Sequence, residues 1–78
     1  MAQSTPNPTL NTDERAMITY INGDRDFKAY LLHNGLTVGS IIYKNYSPRY
    51  AALASITVNG RMISIRKSDF QKIDWVRI

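Results

Sequence analysis

The tightest constraint on this chain is the run Ser55-Ile-Thr-Val-Asn-Gly-Arg-Met-Ile-Ser-Ile-Arg66, where an Asn-Gly pair separates two stretches of alternating apolar and polar residues. Asn59 and Gly60 both tolerate positive φ, and a two-residue turn with two such centres has the twist of the strands it joins. The register this predicts sets Val58 against Arg61 and Ile56 against Ile63. Ile56, Val58, Ile63 and Ile65 then share a buried face, while Ser55, Thr57, Met62, Ser64 and Arg66 share the other.

The remaining elements are arranged around that hairpin. Ala16-Met-Ile-Thr-Tyr-Ile21 is rich in β-branched and aromatic residues and reads as a first strand, ended by Asn22-Gly23. Asp24 or Asp26 then caps a short helix over residues 26–34, with Phe27, Tyr30 and Leu31 on one apolar stripe. So short a helix is unstable alone and must dock on the sheet. Asn34-Gly35-Leu36 closes it, with Gly35 at the left-handed position and Leu36 folding back on Leu31. A break at Thr37-Val-Gly39-Ser40 precedes a strand Ile41–Tyr46, which Ser47-Pro48 terminates. Residues 49–54 read as loop or strand start. Ser68-Asp-Phe-Gln71 fits a capping box for one helical turn, and Ile73–Ile78 reads as a last strand. About five short strands, one docked helix and a helical turn before the last strand predict a mostly β fold, a small antiparallel barrel with Gly23, Gly35, Gly39, Asn59 and Gly60 at its turns. Residues 1–9, polar with two prolines, read as a disordered N-terminal arm, which leaves 10–78 as the domain.

Size and composition narrow the chemistry. Seventy-eight residues hold one small domain with only a few kcal/mol of stability, so its large apolar side chains are needed for the core. The absence of cysteine excludes a disulfide scaffold and a thiol nucleophile, and it suits a reducing compartment; with neither a signal peptide nor a membrane span, a cytoplasmic location is expected. His33 is the sole histidine, placed to favour the end of the helix dipole, and no partner for acid–base work accompanies it. The Asp24-Arg-Asp26 pair lacks the glycine and distal glutamate of a calcium loop. The chain is therefore expected to be no enzyme and to have no cofactor and no dedicated metal site.

Charge is unevenly distributed. Before residue 44, Arg15, Arg25 and Lys28 stand against Asp13, Glu14, Asp24 and Asp26, a net of −1; from Lys44 onward seven cations face only Asp69 and Asp74, a net of +5. Within the basic half, Tyr43, Lys44, Tyr46, Arg49 and Tyr50 gather three aromatic rings and two cations in eight residues. Tyrosine and arginine are enriched in protein interfaces and also build stacking platforms for single strands. The cluster is a candidate partner surface, with RNA or single-stranded DNA binding as the alternative function.

The order of these segments resembles the FeoA family. Leu31-Leu-His-Asn-Gly-Leu-Thr-Val-Gly-Ser-Ile-Ile42 is similar to its LLxLGLxPGTxI segment, and Ile56-Thr-Val-Asn-Gly-Arg-Met-Ile-Ser-Ile-Arg-Lys-Ser-Asp69 to its IxVxGxxIxLRKxx segment. The resemblance spans about residues 10–76. Thr12-Asp13 stands where the family usually has Pro-Gly, Val38 replaces a proline, and Ser47-Pro-Arg-Tyr-Ala-Ala-Leu replaces an APxGDP loop. The resemblance implies an SH3-like barrel that serves bacterial ferrous iron uptake as a non-enzymatic cytosolic accessory. It implies a FeoB-type membrane permease with a GTPase domain as the partner; contact with the membrane is expected only through that partner, no nucleic-acid partner is expected, and self-association is left open.

Overall fold

The computed structural model describes residues 9–78, so all of the expected arm except Thr9 lies outside the described residues. Five strands and two short helices follow in the order β1 (Arg15–Ile21), α1 (Arg25–His33), β2 (Ile41–Lys44), β3 (Leu53–Val58), β4 (Arg61–Arg66), α2 (Lys67–Phe70) and β5 (Ile73–Arg77). The strands form a single sheet of order β4-β3-β2-β1-β5 with every neighbouring pair antiparallel.

The β3–β4 hairpin has the expected register, Val58 opposite Arg61 and Ile56 opposite Ile63. Asn59 (φ 52°) and Gly60 (φ 77°) supply its two left-handed centres. The β1–β5 ladder is less regular. Ile18 pairs with Trp75, Tyr20 with Asp74 and Ile21 with Ile73, so a bulge at Thr19 shifts the strand by one residue. Strict alternation from Ala16 and Ile18 would turn Tyr20 inward; the bulge leaves Tyr20 exposed and packs Ile21 against the core instead.

Helix α1 starts where Asp24 accepts the Phe27 N–H at 2.9 Å. Its end is a Schellman closure: the Gly35 N–H donates to the Leu32 carbonyl and the Leu36 N–H to the Leu31 carbonyl, both at 2.9 Å. Leu31 and Leu36 are thereby both buried. The Gly35 carbonyl accepts from the Asn59 side-chain amide and from the Ser40 hydroxyl, each at 3.3 Å, which ties the helix end to the hairpin tip and to the start of β2. Helix α2 begins one residue before the expected capping box, at Lys67, and no side chain caps it. Strand β2 stops at Lys44, two residues early, although the Asn45 N–H still donates to the Ser55 carbonyl.

Every strand contributes to one hydrophobic cluster, including Ile18, Ile42, Ile56, Ile65 and Ile73, with Leu10 and Leu31 closing it; no polar or charged side chain is buried among the described residues. The ladder does not close between β4 and β5. These edge strands both send side chains into the cluster and are joined through α2, so the sheet curls like a barrel and the helical turn bridges its open side. Among the described residues no helix is long and apolar enough to cross a membrane.

Two glycines separate backbone strain from crowding. A Cβ at Gly23 (φ +119°) would lie 2.6 Å from Cδ2 of Phe27, a ring packed on the core, whereas a Cβ at Gly60 (φ +77°) meets nothing within 4 Å. Gly60→Ala is therefore expected to cost about 1 kcal/mol and Gly23→Ala about 3 kcal/mol, read from urea denaturation midpoints. Equal shifts would show that the Phe27 contact is immaterial.

Candidate functional site

Period-two alternation places Lys44 in an unusual position. Ile42 and Lys44 point to the same side of β2, and in the β2–β3 ladder they stand opposite Val58 and Ile56, both fully buried. Lys44 thus occupies the last core-facing position of its strand, where the apolar filling stops. The space beyond it is an open cleft of about 630 Å³ between the N-terminal segment, the loop after β2 and helix α2. Leu10, Ala54, Phe70 and Trp75 give the cleft apolar walls, and Tyr46 also lines it. Lys44, Arg49 and Lys67 contribute three cations, and among the described residues no carboxylate lines it.

The loop forming one wall is held by side chains. Lys67 Nζ donates to the carbonyls of Pro48 at 3.0 Å and Arg49 at 3.1 Å. Asn45 Nδ2 donates to Ser55 Oγ at 3.2 Å and to Thr57 Oγ1 at 2.9 Å, fixing the start of the same loop to β3. Lys44 Nζ donates to the Asn45 carbonyl at 2.6 Å and to Ser47 Oγ at 3.1 Å. Burial first, and the nearby Lys67 ammonium second, hold the Lys44 pKa below 10.5. On the opposite wall, Arg77 donates to the Thr9 carbonyl at 2.6 Å and pairs with Glu14 at 3.1 Å, anchoring the segment that carries Leu10.

The five residues grouped by sequence divide in space. Lys44, Tyr46 and Arg49 meet at the cleft. Tyr43 alternates to the outer face of the sheet, in register with Arg15 and Thr57, and is exposed. Tyr50 sits on the turn closed by the Ala51 N–H to the Pro48 carbonyl, 92% exposed and away from the cleft lining. The three tyrosines therefore form no common stacking surface. Lys67, Phe70, Trp75 and Leu10 complete the cleft without having been anticipated. Part of the signal was present: a lysine two residues after Ile42 in a short strand faces the core side. His33 is exposed at the end of α1, and no three potential metal-ligating side chains converge among the described residues. Chemically, the cleft offers N–H donors and positive charge beside an apolar hollow.

A family model described as the FeoA domain matches residues 8–77. The fold is similar to the crystal structure of an iron uptake regulatory protein (FeoA), with a TM-score of 0.81 and 20% identity over 95% of this chain and 97% of that one. It is similar as well to the solution structure of the FeoA protein from Chlorobium tepidum, with a TM-score of 0.82 and 17% identity over 88% of this chain and 66% of that one. A structure of ScaR with bound Zn2+ matches with a TM-score of 0.76 and 26% identity; this chain is covered to 85% and spans 33% of that protein. No curated protein matches the sequence. The architecture is the mostly β, SH3-like one expected.

Two outcomes follow from the cleft geometry. Lys67→Met removes both bonds to the loop, so amide exchange at residues 49–52 is expected to accelerate with a stability loss of about 1 kcal/mol and little change in exchange at Ile56 or Ile65. A direct NMR titration of Lys44 should give a midpoint below 10.5, and Lys67→Gln should raise it only partly, since burial is the larger cause. With the folded value the lower one, charged Lys44 opposes folding at neutral pH. That penalty is relieved as pH rises through the folded value towards 10.5.

Proposed function

Because the chain belongs to the FeoA family, we propose that it works as a non-enzymatic accessory of bacterial ferrous iron uptake, docking in the cytoplasm on a FeoB-type permease or on its GTP-binding domain. The observation that carries this reading is the family match over residues 8–77, which takes in every described residue except Ile78. The similarity to an iron uptake regulatory protein of nearly the same length supports it. The site chemistry is compatible with docking. A basic cleft with apolar walls can bind and orient a protein surface, and fixed positive charge speeds encounter with an acidic partner.

Under this reading Lys44, Tyr46 and Arg49 belong to the contact surface, and Tyr43 and Tyr50 lie outside its centre. Under the same reading any GTP hydrolysis belongs to the permease, and this chain would act by biasing the conformation of the GTP-binding domain. Such a bias requires a difference in affinity between the nucleotide states.

Calorimetric titration of the protein with the isolated GTP-binding domain, in GDP and in a non-hydrolysable GTP analogue, tests the proposal. Association tighter than about 100 μM is expected, with unequal affinities for the two states. Absence of binding to the domain and to the detergent-solubilised permease would end it.

A further inference from the structure

The cleft holds cations that the fold does not neutralise. The charged pairs Lys72–Asp69 and Arg77–Glu14 do not involve Lys44, Arg49 or Lys67. A second hollow, of about 480 Å³, offers the contrast: there Asp24, Asp26 and Asp69 stand with Arg66 and Lys72, so both signs of charge are present and Lys72 pairs with Asp69. In the cationic cleft each ammonium donates two of its three N–H bonds to neutral oxygens, which leaves one donor on Lys44 and one on Lys67. Arg49 uses its backbone carbonyl to hold Lys67, while its guanidinium is exposed at the rim with its full set of donors.

The walls select against a purely electrostatic ligand. Leu10, Ala54 and Trp75 are nearly buried and Phe70 half-buried, so the bottom of the cleft is an extension of the core that stops short of filling the space. An apolar side chain entering there would complete that packing, and its flanking groups would emerge beside the three cations. The volume accommodates a bulky side chain with its adjoining backbone. A nucleic-acid strand fits less well. Strand binding uses successive exposed aromatic faces along a basic track, whereas here Trp75 is 6% exposed, Tyr43 is on the other face and Tyr46 alone presents an open ring at the cleft.

We propose that this cleft docks an acidic protein segment in which carboxylates flank a bulky apolar side chain, the apolar group filling the hollow between Leu10, Phe70 and Trp75 and the carboxylates meeting Arg49, Lys44 and Lys67. This rests on the reading of the chain as a docking module and supplies the partner chemistry. The occupant is a segment of the partner, because charge complementarity requires acidic residues. Binding also offsets the unfavourable burial of Lys44, since a carboxylate beside it stabilises the charged form.

The test uses the full chain, 15N-labelled, titrated with a synthetic peptide in which glutamates flank a central leucine–phenylalanine pair. A peptide with lysines in place of the glutamates and an oligothymidine serve as controls. The glutamate peptide should shift the Trp75 indole N–H and the amides of residues 45–47, 49 and 67–71, and its affinity should fall steeply between about 50 and about 500 mM salt. Arg49→Glu, which breaks no side-chain bond of the fold, should lower the affinity about tenfold with the rest of the spectrum unchanged, and Arg49→Lys should retain most of it. Shifts confined to another face, no shifts, or tighter binding of the oligothymidine at the cleft would overturn the proposal. The two readings fail separately. If Arg49→Glu binds the GTP-binding domain as well as the wild type does, the cleft is not the dock and the permease partnership stands. If the peptide binds the cleft while the permease does not bind the chain, the acidic-segment site stands and the permease partnership falls.

Discussion

The fold depends on a sheet that buries one apolar face. Ala16, Ile18, Ile42, Ile56, Val58, Ile63, Ile65, Ile73 and Trp75 all turn to the same side, and no buried polar group interrupts them. A flat sheet would leave such a face in water, and a chain of this size has no second layer large enough to cover it. The face must curl on itself. The two edges approach because α2 joins them, Leu31 and Leu36 are set against the cluster by the closure of α1, and Leu10 reaches it from the N-terminal side. Asn59 joins these parts: its left-handed backbone makes the hairpin, and its side chain reaches the Gly35 carbonyl at the end of α1.

The cleft is a direct result of where that apolar filling ends. β2 is short, and its last inward position holds a lysine opposite Ile56. An ammonium there cannot remain deep in the core, so it turns to the Asn45 carbonyl and Ser47 hydroxyl at the mouth. Lys67 arrives at the same mouth because α2 has to cross the open side of the sheet. Two like charges are tolerated there because each has oxygen partners and neither is fully buried. The fold thereby brings cations separated by more than twenty residues in sequence to one hollow, with a lowered Lys44 pKa as the electrostatic trace of their proximity.

What was legible in the sequence was what local chemistry decides. Asn59-Gly60 fixes a turn type, alternation fixes the faces of β3 and β4, and Gly35 followed by Leu36 announces a helix closure; each is settled within a few residues. The Thr19 bulge was not legible, since it answers to the pairing with β5 more than fifty residues away. The candidate site was half legible for a related reason. Residues 43–50 are close in sequence, but a strand sends neighbours to opposite faces, so Tyr43 and Lys44 part company at once. Lys67, Phe70 and Trp75 join the site by topology, which spacing along the chain does not display.

The departures from the family pattern acquire physical meaning in the structure. Asp13 stands where the family usually has glycine, and its φ is 69°, the left-handed conformation that glycine adopts without penalty. Aspartate is among the few other residues that accept it, and the turn is held in place by the Asp13 N–H donating to the Lys44 carbonyl at 2.7 Å and the Lys44 N–H donating to the Glu14 carbonyl at 3.0 Å. The same backbone that carries the cleft's inward lysine therefore positions the segment forming the opposite wall. The loop after β2 lacks the family's glycine, and Asn45 and Lys67 hold it through side-chain bonds to β3 and from α2. In this chain the shape of the cleft and its charge are consequently set by the same residues. A change that removed the Lys67 ammonium would both discharge the site and release its wall.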